Sequence, residues 1–475
     1  MNLRKLAFLL LPIAMLAFCV TGCSLSAPEA SPRNLTFAPL EFDVPEIARE
    51  KRENGLQLYL KPDHELPLVR ITAMLGVGAI VEPPEKTGLA AVYASLLRQG
   101  GAGELDPDEM DETLERMAAD FSADADTYAV TLEMSLRAED LDRGLGILSQ
   151  VLRRPRFDSA RLEIIKRRMQ EEIRRRNDDP AQLSRHILYR ALYGEHPLGL
   201  RPEVETVNAV ERVDLVELHR RYSHPNNLQI GISGDFDPLL LEGLVARHFD
   251  NWPAGSVAQL PIPPLGQTPA PAIWVASKEL SQTTILLGEI GLTKDNPDQY
   301  AVRVMNYLLG GGGFNSRLMR KIRSDRGLAY SVYSYYQVGR RLPGPFVAGC
   351  ETRPDAVDEV IELMQQTMEE MRSDPVSQQD LKLAKESLIN SFVFTFEDQH
   401  DVVAMTMRLD YYDYPADYLS GYRDRIAAVT RADVMRVARR YLDPERQALV
   451  LVGDIDADDP ALRRFEKPVR VFDLE

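Results

Sequence analysis

The densest run of residues able to do chemistry is Leu308–Tyr330, LLGGGGFNSRLMRKIRSDRGLAY. Four glycines, Gly310, Gly311, Gly312 and Gly313, interrupt an apolar helical run. Phe314 follows, and then a second helical segment carrying Arg317, Arg320, Lys321 and Arg323. Gly327 breaks that segment, and the alternating SVYSYYQV after Tyr330 predicts a strand. Arg323 is therefore expected on a last helical turn and Tyr330 at a strand start, joined by a glycine turn that can aim both at one place. A guanidinium fork and a phenol hydroxyl are a natural pair for holding a peptide carbonyl or its oxyanion. The bland alternative is a flexible turn whose cations answer the helix dipole. A phosphate cradle would need the G-x-x-x-x-G-K-[ST] spacing, which is absent.

Other chemistry is sparse. The seven histidines are His64, His186, His196, His219, His224, His248 and His400, and none forms an i, i+3 or i+4 pair with another. Cys350 lies in the apolar run FVAGC and reads as a buried, inert thiol. No G-x-S-x-G elbow is present. The first residues follow an export pattern, with Arg4 and Lys5 before an apolar stretch from Leu6 to Val20. Val20-Thr21-Gly22-Cys23 resembles the lipid-attachment box of bacterial lipoproteins. The expectation is a signal peptide over 1–22, acylation of Cys23 and a tether over 23–39. The resemblance, with Ser24 next, implies a cell-envelope protein on the periplasmic face of the outer membrane. The formal charge is −16, and −16 − 2 = −18 once Arg4 and Lys5 are removed. That charge excludes nucleic acid and electrostatic adhesion to anionic lipid, so the anchor is the expected membrane contact.

The elements that must position these residues come in two similar halves. Tyr222 and Pro225 have counterparts in Tyr441 and Pro444, offset by 441 − 222 = 219 and 444 − 225 = 219. An apolar strand and Gly-Asp-x-Asp come next in both halves. Gly76 and Gly288, offset by 288 − 76 = 212, look like a third landmark. Between the halves, the prolines of 253–272 forbid regular structure and make a linker. Each half orders as strands, long helices and a late strand. This predicts an α+β fold of two homologous domains, 40–252 and 273–475, each a mainly antiparallel sheet with helices packed on one face. Helices are expected at 107–121, 140–152, 159–177 and 355–373. The third of these buries Leu162, Ile165, Met169 and Ile173.

With the paired halves, Tyr193-Gly194-Glu195-His196-Pro197-Leu198-Gly199 and the Ser316-Arg317-Leu318…Arg323…Gly327-Leu328-Ala329-Tyr330 motif in place, the chain resembles the pitrilysin/insulinase/mitochondrial-processing-peptidase family of zinc metallopeptidases. The likeness runs from about Leu40 to the C-terminus and implies a clam-like shell. Active members carry H-x-x-E-H in the first helix, where two imidazoles hold Zn²⁺ and the carboxylate activates water. Aligned on Gly88-Leu89-Ala90, those positions hold Ala91, Ala94 and Ser95 here. Glu172, 172 − 95 = 77 residues on, fits the third-ligand position, but one carboxylate makes no zinc site. The resemblance therefore implies that this chain binds no cofactor. It implies instead a non-catalytic subunit that lends Arg323, Tyr330 and the loop Gly311, Gly312, Gly313 and Phe314 to a zinc-bearing sibling acting on peptides. The alternative is a peptide-binding or scaffold lipoprotein of the cell envelope without protease activity.

Overall fold

The computed structural model describes residues 44–474. The signal peptide, Cys23 and the tether lie outside the described residues. Val44–Glu475 is one compact unit, built from two six-stranded sheets.

In the first sheet the spatial order is β1 (Ala48–Lys51), β2 (Gln57–Pro62), β6 (Leu228–Gly234), β3 (Leu68–Leu75), β5 (Val130–Arg137) and β4 (Asp120–Ala125). Only β2 and β6 run parallel. The second sheet is ordered β12 (Val469–Val471), β7 (Ile273–Ser277), β11 (Ala448–Gly453), β8 (Thr283–Ile290), β10 (Pro345–Thr352) and β9 (Ala329–Tyr336). Its parallel pairs are β12–β7 and β7–β11. Both sheets are mainly antiparallel, as expected.

Alternation along the strands decides which face meets which helix. Val69, Ile71, Ala73 and Leu75 of β3 join one core with α1 (Leu89–Gln99), α2 (Pro107–Arg116), α3 (Leu141–Arg153) and α4 (Ser159–Arg175). The second half repeats this, Ile285 and Leu287 packing with α7 (Gln299–Asn306) and α8 (Val357–Ser373). The opposite faces are covered by exchange. The first half's α5 (Pro180–Tyr193) lays Leu183, Ile187, Leu188 and Leu192 on Leu286, Val347, Val450 and Val452 of the second sheet. The second half's α9 (Gln399–Tyr411) lies on β2 and β6 of the first. The contact is close: a Cβ on Gly231 would sit 2.4 Å from Met407 Sδ, and one on Gly288 2.9 Å from Leu188. Each sheet is thus a filling between its own helices and one borrowed helix.

Several expectations need correction. The helix from Pro107 ends at Arg116, because Ala118 turns to φ +49° and Phe121 joins β4 beside Met134 of β5. No glycine or proline marks that stop, so strand pairing overrides helix propensity. The helix predicted over 159–177 closes at Arg175 in a tighter turn, and Ile173 is only half-buried. Gly288 is not the counterpart of Gly76. Met74 pairs with Gln229 and Gly288 with Ala448, and 448 − 229 = 219, which matches Gly288 to Met74. Residues 253–272 carry no helix or strand. They form a strap whose Leu260 and Ile262 pack beside Tyr128 and Tyr412.

Candidate functional site

The glycine run and the motif after it fold into one corner of the second half. α7 continues through Tyr307–Gly311 in a wider π turn, and a second π turn spans Met319–Ser324. Each extra residue rotates the chain beyond it and re-aims its side chains. Three glycines are there for space. A Cβ on Gly310 would meet Ser334 N at 2.5 Å, on Gly311 Asn306 Nδ2 at 2.6 Å, and on Gly312 the Tyr307 carbonyl at 2.7 Å. Gly313 instead supplies φ +55° with open space around it. Buried Ser316 bonds its hydroxyl to the Gly313 carbonyl at 2.7 Å and caps the turn carrying Arg323. Gly327, at φ +66°, closes that turn, and Thr352 Oγ1 donates to the Leu328 carbonyl at 2.7 Å.

The result is a guanidinium between two rings. Arg323 Cζ lies 4.5 Å from the Tyr330 ring centroid and 4.7 Å from that of Phe314. Tyr330 is 80% exposed and Phe314 69%. Of the neighbouring cations, Lys321 is committed to Glu370 and Arg326 to Glu359. Among the described residues no carboxylate pairs with Arg323 and no acceptor takes the Tyr330 hydroxyl proton. Two aromatic faces hold the guanidinium by cation–π attraction while leaving its N–H edge free to donate. Large exposed aromatics of this kind mark a surface that meets something.

The zinc-motif positions lie elsewhere and do not fit a metal ion. Ala91 and Ser95 are half-buried and Ala94 is buried on α1, which packs on α4. None of the three supplies a metal donor of the imidazole or carboxylate kind. Glu172 on α4 is 67% exposed and stands 3.8 Å from Arg168, a solvated helix pair. Among the described residues no cluster of three or more His, Cys, Asp or Glu side chains could hold a metal. What remains of the frame is the helix start. Half-buried Glu82 accepts from the Gly88 and Ala90 amides at 2.9 and 2.7 Å, and desolvation pushes its carboxyl up to about 7.

Sequence reasoning missed two buried groups and one half-buried pair of arginines. His400, on the exchanged α9, is 6% exposed and bonds Thr72 Oγ1 and Ser233 Oγ at 2.8 Å each. Burial and then Arg70 push its imidazole down to about 4. Glu289 takes the Gln447 amide at 3.2 Å, and burial pushes it up to about 7. Arg340 and Arg341 lie over Tyr412 and Tyr411, with Arg340 also reaching Asp126 of the first half at 3.1 Å. A lone His beside Asp398 carried no periodic signal in the sequence; only the exchange of helices gives it partners.

A family model described as insulinase, peptidase family M16, matches residues 60–203, and one described as the peptidase M16 inactive domain matches 209–388. An uncharacterized zinc protease of Mycobacterium leprae is 25% identical over 416 residues, 85% of this chain and 91% of that protein. The non-peptidase homolog YmxG of Helicobacter pylori is 26% identical over 350 residues, 72% of this chain and 79% of that one. Among solved structures, a peptidase M16 inactive domain from Pseudomonas fluorescens superposes with a TM-score of 0.77 at 24% identity, covering 87% of this chain and 100% of that one. With its two-domain architecture, its helix frame and both matched regions, the chain belongs to the insulinase family of peptidases, M16.

Proposed function

We propose that this M16 chain is the substrate-holding, non-catalytic partner of a zinc-bearing subunit of the same family. The observation that carries the reading is the half-buried Arg323, bracketed by the exposed Tyr330 and Phe314 and taken by no acceptor among the described residues. Its N–H edge and the Tyr330 hydroxyl supply donors for a peptide carbonyl and for the oxyanion that forms when water attacks it. The exposed Gly311–Gly313 backbone offers a flat place for an extended peptide to lie. The water-activating step belongs to the partner, because Ala91, Ala94 and Ser95 leave this chain without ligands or a base. The Helicobacter pylori relative is itself named a non-peptidase homolog, which supports this side of the reading.

The test is peptide hydrolysis by the mixture of this chain and a zinc-bearing sibling. Neither chain alone should cleave at the rate of the pair. Tyr330→Phe should leave assembly intact and lower turnover by about 10²-fold, the usual cost of one oxyanion donor. Full turnover by the Tyr330→Phe pair, or zinc-dependent cleavage by this chain alone, would overturn the reading. The same reading places the protein on the cell envelope through Cys23. Metabolic labelling with an alkyne fatty acid should tag the wild type and not Cys23→Ala.

A further inference from the structure

The two exchanged helices meet their sheets in the same way, and the difference between the two meeting points is informative. Asp398 caps α9 and Asp179 caps α5, with 398 − 179 = 219, and each carboxylate accepts amide hydrogens from the helix's first turn. The register fixes what lies beneath each cap. Arg70 pairs with Ser233 in the first sheet and Thr284 with Val452 in the second, and 452 − 233 = 219. Arg70 and Thr284 are therefore equivalent positions.

In the first half the position is filled. Arg70 reaches Asp398 at 2.7 Å, and His400 fills the space above Thr72 and Ser233. In the second half Arg70 becomes Thr284, and His400 becomes Ala181, since 400 − 181 = 219. Both replacements are smaller. A cavity of about 390 Å³ opens there, against about 180 Å³ in the first half, and Tyr330 forms part of its wall. The cross-strand partner also changes. Arg70 faces Ser135, but Thr284 faces Glu351, an exposed carboxylate lining the cavity.

We infer that this cavity receives a cationic side chain, arginine or lysine, of the peptide held at Tyr330, in the way that the first half receives its own Arg70. The inference rests on the proposed function and names the side chain that function selects. Ala181 and the buried Thr284 form the inner wall against which a methylene stem can lie, while Glu351 stands nearer solvent to meet the head group. Tyr330 and Tyr333 offer ring faces that favour a cation and not an anion. Arg185, one turn further along α5 near Tyr333, is the like charge that opposes binding. The site therefore suits one cationic group and not a run of them.

The test is fluorescence anisotropy with labelled peptides of one sequence, carrying Arg, norleucine or Glu at a single position, and the intact chain. The Arg peptide should bind about tenfold more tightly than the norleucine peptide, the size of one charge-assisted hydrogen-bond pair. Glu351→Gln should erase that preference and leave norleucine binding unchanged. Thr284→Arg should do the same by supplying the cation internally; Glu351→Gln, at an exposed site, keeps the test decisive should Thr284→Arg fail to fold. Equal affinity for the Arg and norleucine peptides would overturn this inference while leaving the proposed function standing. Failure to bind any of the three peptides would overturn both.

Discussion

The ends of the exchanged helices α9 and α5 are the same frame put to two uses. At the first sheet the corner is narrowed, with Arg70 tied to Asp398 and an imidazole wedged between two hydroxyls. At the second sheet the corner is hollow, aromatic at its mouth and next to the unpaired Arg323. A duplicated fold keeps its backbone because the two cores demand it. Its side chains diverge wherever neither core is touched. The same divergence appears where α1 and α7 begin. Lys86 pairs with Asp214 of α6 (Arg212–Tyr222) at 2.6 Å, while Asp298 pairs with Arg436 of α10 (Arg431–Tyr441) at 2.7 Å. Each half ties a helix start to a late helix, but through positions that are not counterparts, since 214 + 219 = 433. The proposed peptide site lies where packing has been relaxed between the halves.

Filling the glycine clefts under the borrowed helices should do most damage. Gly231→Val places a branched side chain against Met407 and Val403, and Gly288→Val places one against Leu188. Urea unfolding should show a loss of about 3 kcal/mol for Gly231→Val and less for Gly288→Val, where the neighbours stand further off. Equal and small losses would mean that the helices are loosely held and that the two corners are not rigid frames.

The filled corner should also respond to acid. His400 is held neutral, with its folded-state value near 4 against about 6.5 when unfolded. A group whose folded value is depressed gives stability that is fully present above the unfolded value. That stability is lost as pH falls from about 6.5 towards 4, because the unfolded chain takes the proton first. The loss should reach up to about 3 kcal/mol, one depressed titration of this size. His400→Gln should flatten that part of the stability–pH curve. A variant whose curve still falls as steeply as the wild type would place the acid response elsewhere.

The smallest effect is expected from Arg70→Ala. Arg70 and Asp398 are 44% and 47% exposed, and pairs this wet contribute under about 1 kcal/mol. A crystal structure of the variant should show the first-sheet cavity enlarged towards that of the second sheet. Comparable stability with a wider cavity would confirm that the pair acts as a plug and not as a brace.

Much of this molecule was legible in one dimension. The duplication, the linker without regular structure, the sheet class and the meeting of Arg323 with Tyr330 all rest on short-range rules: periodicity, proline, and a glycine turn between a helix and a strand. The reading of positions 91, 94 and 95 as lacking metal ligands came from the family resemblance of the Gly88-Leu89-Ala90 lead-in. Tertiary structure decided the rest. The exchange of α5 and α9 brings together residues far apart in the chain, such as Leu188 with Gly288 and Thr72 with His400, and no local pattern encodes those distances. The early end of the helix at Arg116 came from strand pairing that outweighed helix propensity. The cavity beside Tyr330 exists because two small residues from different halves face each other across a packed interface. A linear chain records each of those residues, but only the packing of one half against the other gives the space between them a shape.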